Sequence, residues 1–334
     1  MKKFMVLLTV LVMLLASVPV LHAEGEWKFE RKVDFICPWG VGGGADSTLR
    51  PMADIVKDII GQQVDVVNVE GGGGTNGVEF TYKQPADGYT FMLGTQSVIM
   101  LDLQGVLSMD YRYEFVPVAK LVHSISIIAG SKKAMEEKGY NSFSEMIEYV
   151  KENPFGVTVG MLTATGGDSA TLKQTVAGLD VLEIAFASGS EMNSALMGGH
   201  IDMMITGTDE IQGLIESGDI VPLVACSENR MKRYPDLECT GELGIDSFIG
   251  TWRGIYAKKG TPQGAIDALG AAIEEASKDP RWIDFLVQGA YDERVGFEDS
   301  AGLSALMEKE YVMFSNYLNG EGVLSKQYDD IVLE

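Results

Sequence analysis

The feature that most constrains this chain is a unit that recurs along it: an apolar strand-like run, a loop of glycines and small residues, then the start of an amphipathic helix. Val33-Asp34-Phe35-Ile36-Cys37 leads through Pro38-Trp39 into Gly40-Val41-Gly42-Gly43-Gly44. A helix follows, with Asp46 or Ser47 as its cap, a stripe of Leu49, Met52, Ile55, Val56, Ile59 and Ile60, and Gly61 as its stop. Pro51 is awkward in that helix, because it removes a donor. Residues 63–69 read as a second strand, 71–76 as a second glycine loop and 90–94 as a third strand. The grammar returns with a strand over 157–161, a loop over 162–168, a helix from Ser169 and a strand over 182–186. Ser188-Gly189-Ser190 then opens a short helix that stops at Gly198-Gly199, and a strand over 201–205 follows. Thr261 with Pro262, and Asp279 with Pro280, start two late helices. Strand–helix alternation implies parallel sheets flanked by helices, so the pattern predicts an α/β chain of two lobes, with the C-terminal helices returning to the first.

Length and charge narrow what such a body does. With 334 residues and 46% hydrophobic content, the chain can bury sizeable cores. Acidic residues outnumber basic ones by 48 to 26, a formal charge of −22. So acidic a surface repels phosphate backbones and anionic lipid, which argues against nucleic-acid and membrane-surface partners. Lys2 and Lys3, an apolar run over 4–20, and Ala23 before Glu24-Gly25-Glu26 read as an export leader, 1–23, cut after Ala23. The run falls short of the ~20 residues that span a bilayer. The mature chain is expected in the periplasm, soluble and monomeric. Its His123 and His200, with Cys37, Cys226 and Cys239, are a poor inventory for metal catalysis, and neither C-x-x-C nor H-E-x-x-H occurs. Cys37 reads as a buried thiol; Cys226 and Cys239, a short turn-rich segment apart, either pair in an oxidising compartment or stay free.

Four loops, 40–46, 71–76, 162–168 and 188–191, share the strand–glycine–helix design and contain no basic residue. Glycine lets backbone N–H groups approach a ligand, and a helix N-terminus aims its partial positive charge at the same point. Several such ends on one cleft bind an anion without Lys or Arg. The enzymatic alternative is a dinucleotide-binding oxidoreductase, since Gly40-Val41-Gly42-Gly43-Gly44-Ala45 fits G-x-G-x-x-G/A and Glu70 stands where a ribose-binding acid is expected. Export away from the nicotinamide pool and the stiff Pro38-Trp39 entry weigh against it. No Gly-Lys-Ser/Thr follows the glycines, and no G-x-S-x-G occurs. Asp46, Asp87, Asp168, Glu191, Asp202 and Asp209 read first as caps and turns.

The loops also carry a resemblance. Pro38-Trp39-Gly40-Val41-Gly42-Gly43-Gly44-Ala45-Asp46 resembles the P-F-P-P-G-G-x-T-D segment of the tripartite tricarboxylate transporter solute-binding proteins, the Bug-type receptors. Asn68-Val69-Glu70-Gly71-Gly72-Gly73-Gly74-Thr75-Asn76-Gly77 is similar to their N-R-P-G-A-G-G-x-x-G loop. Ala86-Asp87-Gly88-Tyr89-Thr90, Ala195-Leu196-Met197-Gly198-Gly199-His200-Ile201-Asp202, Trp252-Arg253-Gly254 and Gly260-Thr261-Pro262 resemble further elements in the same order. The likeness covers nearly the whole mature chain.

The resemblance implies a type II periplasmic-binding-protein fold, with two α/β lobes, a hinge and a ligand cleft between them. It puts crossings near Val122-His123 and Thr251-Trp252, hence one lobe of 24–123 with 252–334 and another of 124–251. It implies capture of a small carboxylate for the membrane permease subunits of a tripartite tricarboxylate-type transporter, with no cofactor. Ligands that fit are di- or tricarboxylates, aromatic or aliphatic acids, and acidic amino acids. By position it carries over Trp39, Gly43, Gly44 and Asp46, then Gly73, Gly74 and Asn76, then Thr163, Thr165, Asp168, Ser188 and Ser190 as ligand-binding residues. The chain departs from the pattern at Val69 and Glu70, where arginine and proline are usual, and at Phe186-Ala187-Ser188-Gly189, where a lysine is lost. Those changes make the mouth less attractive to polyanions.

Overall fold

A computed structural model describes residues 27–162, 166–186 and 189–333. The leader expected over 1–23, and Thr163, Thr165 and Ser188, lie outside them; Ser190 is placed by its backbone alone.

The first lobe begins with β1 (Val33–Cys37), α1 (Gly44–Ile60), β2 (Val64–Asn68), α2 (Thr75–Lys83), β3 (Thr90–Gly94), α3 (Gln96–Leu103), α4 (Tyr111–Glu114) and β4 (Phe115–His123). The chain then builds a second sheet from β5 (Ser126–Ser131), α5 (Lys132–Lys138), α6 (Phe143–Glu152), β6 (Thr158–Met161), α7 (Gly167–Thr175), β7 (Leu182–Ala185), α8 (Gly189–Met197), β8 (Met203–Gly207), α9 (Thr208–Ser217), β9 (Ile220–Ala225) and β10 (Glu238–Cys239). It returns through β11 (Trp252–Lys258), α10 (Gln263–Ala276), α11 (Pro280–Gln288), β12 (Glu298–Asp299) and α12 (Ser300–Gly320).

The sheets run β12-β4-β11-β3-β1-β2 and β10-β9-β5-β8-β6-β7. In each, three parallel strands (β3-β1-β2 and β8-β6-β7) meet an antiparallel strand, β11 or β5, that has just arrived from the other sheet. The two lobes therefore repeat one topology. β1 lies between β2 and β3, unlike the 3-2-1-4 order of a dinucleotide-binding sheet.

The central strands of each sheet are buried on both faces, which explains why β1 and β5 are rich in apolar and small residues. In the first lobe Leu49, Met52, Ile55 and Val56 of α1 pack with Leu269 and Ile273 of α10 and Trp282 of α11 on one face. Val98 and Ile99 of α3 and Tyr311 and Phe314 of α12 cover the other. That burial carries α1 straight through Pro51. The tail after α12 is tied down at Asp102, which is fully buried and accepts from Tyr311 Oη at 2.8 Å, Tyr328 Oη at 2.6 Å and Lys326 Nζ at 2.7 Å.

Among the boundaries that differ from the sequence reading, two involve buried carboxylates. Helix α1 starts at Gly44 with Gly43 as its cap, so Asp46 is a first-turn residue whose carboxylate reaches back to the Gly42 N–H at 2.9 Å. Ile201 and Asp202 precede β8 rather than belonging to it, because the Asp202 carboxylate binds Lys138 Nζ at 2.5 Å and the Thr158 N–H at 2.7 Å.

Candidate ligand site between the lobes

The first glycine loop is held by side chains that follow it. Asp46, nearly fully buried, accepts from Gly42 N, from Arg50 Nε at 2.9 Å and Nη2 at 2.7 Å, and from Asn68 Nδ2 at 2.9 Å. Asn68 Nδ2 also donates to the Trp39 carbonyl at 2.9 Å. Burial raises the Asp46 pKa, but the bonds from Arg50, Gly42 and Asn68 outweigh it and hold the carboxyl below its ordinary range. Both oxygens are occupied by protein donors.

The second loop closes onto the first. Gly74 has φ +113°, and a Cβ there would stand 3.2 Å from the Trp39 indole. Asn76 Nδ2 donates to the Glu70 carbonyl at 3.1 Å and fills the space beside Gly71. Gly73, at φ +66°, faces open space, and Gly43 makes only ordinary contact with the Gly40 carbonyl. Trp39 and Gly74 thus touch, whereas Asn76 shapes its own loop.

Between the lobes the structure reveals a centre that reading the loops misses. Arg253, the second residue of β11 and 3% exposed, lies against Gly44 so closely that a Cβ there would fall within 2.3 Å of Nη2. Its Nη1 donates to Tyr291 Oη, and Tyr291 Oη donates to Asp209 Oδ2 at 2.7 Å. Nη2 is 3.3 Å from Asp209 Oδ2 and 3.8 Å from Glu210 Oε1. Arg253, Tyr291 and Gly44 belong to the first lobe, while Asp209 and Glu210 form the first turn of α9 in the second. Glu210 also stands 3.8 Å from the Cβ position of Gly189, the start of α8, and accepts from Thr206 Oγ1 at 3.3 Å. Asp168, in the first turn of α7, completes the group.

Two carboxylates pair with one guanidinium, and a third, Asp168, lies near enough for its charge to be felt. Burial pushes Glu210 up to about 7; Asp209 adds to that shift and Arg253 opposes it. Burial likewise pushes Asp168 up to about 6, against the pull of Arg253. Beside this centre Gln96 Nε2 donates to Thr251 Oγ1 at 3.0 Å, and the Gln96 side chain lies on Gly167. Of the residues expected to meet a ligand, Gly44 and Asp168 thus gather around Arg253, Trp39 and Gly74 face each other, and Asp46 is engaged within its loop. Among the described residues no group of three or more His, Cys, Asp or Glu is arranged to hold a metal ion. No helix there is long and apolar enough to cross a membrane.

Comparison with known proteins gives this geometry its context. Residues 48–307 match the family model described as the tripartite tricarboxylate transporter family receptor. The chain belongs to that family. It is 28% identical over 268 residues to the protein BugT of Bordetella pertussis, covering 78% of this chain and 81% of that one. It is 27% identical over 267 residues to a UPF0065 protein of Pseudomonas sp. (strain P51), covering 77% of each. Among solved structures, the periplasmic binding protein BugD superposes with a TM-score of 0.74 at 24% identity, over 89% of this chain and all of that one. MatC from Rhodopseudomonas palustris with bound malate gives 0.73 at 21%, over 89% and 99%. The R. palustris protein Rpa4515 with adipate gives 0.78 at 20%, over 88% and 98%. These superpositions establish the type II periplasmic-binding-protein fold, and the family's members are solute-binding receptors.

Proposed function

We propose that the protein is an extracytoplasmic receptor that captures a small carboxylate between its lobes and delivers it to the permease subunits of a tripartite tricarboxylate-type transporter. The lobes are 24–123 with 252–334 and 124–251, and the monomeric chain works without a cofactor after export to the periplasm and cleavage after Ala23. One observation carries the reading: the start of α1 at Gly44 in the first lobe and the start of α9 at Thr208 in the second meet at the buried guanidinium of Arg253, with the start of α8 at Gly189 beside Glu210 of the same group. N–H groups and partial positive charge concentrated there suit a carboxylate. The bound malate and adipate of the two R. palustris proteins support the same chemistry. Trp39, Gly43, Gly73 and Gly74 line the first-lobe side, with Asp46 and Asn76 holding its loops; Thr163, Thr165, Asp168, Ser188 and Ser190 supply the second.

A thermal-shift screen of carboxylates tests the proposal, because a ligand that binds only the folded chain raises its midpoint by mass action. At least one carboxylate should stabilise the wild type, and Gly44→Ala, whose methyl group displaces Arg253, should lose most of that shift. Stabilisation by NAD, or turnover of the bound acid, overturns the receptor reading.

A further inference from the structure

We infer that the ligand is a neutral zwitterion, a monocarboxylate carrying its own protonated amine, and that the amine sits against Glu210 and Asp168. This rests on the carboxylate-receptor reading and names the ligand class of that cleft.

Polar accounting carries the inference. Helix starts and glycine loops offer N–H donors to a carboxylate, but the side chains around Arg253 offer acceptors in excess. Asp168, Asp209 and Glu210 contribute three carboxylates, and Arg253 is the one cation paired with this group among the described residues. Its Nη1 is spent on Tyr291, and its Nη2 is divided between Asp209 and Glu210. Two further buried acceptors have no donor. One is Asp209 Oδ1; the other is Gln96 Oε1, on a side chain 2% exposed whose amide nitrogen is committed to Thr251 and whose stem lies on Gly167, next to Asp168. Buried acceptors left without donors are costly, so such a surplus marks a place where a donor is expected.

The missing donor must arrive with the ligand. A protonated amine brings three N–H groups and one positive charge, which offsets one of the two surplus carboxylates and gives the other a donor. A metal ion does not fit, since these acids are not arranged as a ligand set. A second carboxylate fits worse, because it would enter a cleft that already holds more negative than positive charge. The same imbalance appears in Glu210 and Asp168, which burial and their acidic neighbours push towards the neutral form. This also separates the chain from its dicarboxylate-bound structural neighbours. The N–H groups of the helix starts would hold the carboxylate, and Glu210 and Asp168 the amine.

Isothermal titration of the wild-type chain with the twenty amino acids, 4-aminobutyrate and their deamino counterparts, plus succinate and adipate, decides the matter. At least one neutral amino acid should bind about tenfold or more tighter than its deamino partner and than aspartate or glutamate, and Glu210→Gln and Asp168→Asn should each remove about tenfold of that advantage while leaving the deamino acid no weaker. The wild-type comparison stands whether or not the variants fold. Succinate, adipate or the deamino acids binding as tightly as any amino acid overturns the inference and leaves the carboxylate reading intact. No binding by any member of the panel overturns both.

Discussion

Asp46 lies two residues after Gly44 and Arg253 lies against it, and the contrast between them separates structural from functional charge. Asp46 accepts four hydrogen bonds from its own lobe, so its role is to hold the loop. Asp46→Asn turns one acceptor into a donor facing Arg50 or Asn68, and it should destabilise the chain by about 2 kcal/mol in urea unfolding at pH 7. Because the folded carboxyl lies below its ordinary range, its contribution is present above the unfolded pKa and is lost as pH falls through the folded one. The variant should therefore differ least from wild type in acid, and it should weaken amino and deamino ligands alike. A loss confined to amino ligands would make Asp46 the amine partner instead. The glycines and Asp46 were legible in the sequence because loop, cap and helix start are contiguous. Arg253 was not, since it lies inside the strand run Trp252-Arg253-Gly254-Ile255-Tyr256-Ala257, far along the chain from every loop it serves. The one available signal was a charge within an otherwise buried strand, where burial requires a partner. Asp209, the nearer partner, reads from the sequence as a cap or turn residue.

At the scale of elements, pattern placed β1 and β3 to the residue, because runs buried on both faces are conspicuous, and β2, β6 and β7 to within one or two residues. The helix starts were harder. Gly43 caps α1 without a side chain, and Pro262 precedes α10 where Thr261 seemed the better cap. Long-range pairing was harder still, and the cysteines show why. Cys239 stands opposite Ala225 in the β9–β10 ladder, so it shares the face of Ala225 and packs with it. Cys226, the next residue, points to the other face, towards Thr175 Oγ1 at 3.6 Å. Strand alternation therefore keeps the two thiols apart despite their short separation in sequence. All three cysteines are buried and free. A thiol reagent should find no reactive cysteine in the native chain and three after denaturation, and reductant should leave the melting midpoint unchanged. A single reactive thiol after denaturation without reductant would mean that Cys226 and Cys239 are bonded.

At the scale of the molecule, two of the places where the lobes meet differ in chemistry. Behind the cleft the crossing segments are stitched together: Ser124 N donates to the Thr251 carbonyl at 2.9 Å, and Arg294 donates to the carbonyls of Cys226 at 3.0 Å and Phe248 at 2.9 Å. These bonds run from backbone or an always-charged guanidinium, so they hardly depend on pH. Across the cleft the lobes meet through ionisable groups. Glu210 faces Asp209, Asp168 and Arg253, with the Thr206 hydroxyl on its second oxygen and Tyr291 engaged by Asp209 and Arg253. Glu210 and Asp168 have folded pKa values of about 7 and about 6, raised above unfolded values of about 4.3 and about 3.9. Raised acids contribute stability that is fully present below the unfolded pKa and is lost as pH rises through the folded one. Asp46 works in the opposite sense, so the total curve mixes the two, and the difference between wild type and Glu210→Gln isolates the cleft. Glutamine cannot ionise, so the variant should gain on wild type between about pH 4 and 7, its melting midpoint rising relative to wild type across that interval and levelling off above it. An amine seated on Glu210 should reverse this trend for wild type alone, because it favours the charged carboxylate, so that affinity for an amino ligand rises with pH where affinity for a dicarboxylate falls. A wild-type minus variant difference that stays constant from about pH 4 to 7 would mean that Glu210 keeps an ordinary pKa, and that Arg253 already neutralises it without help from a ligand.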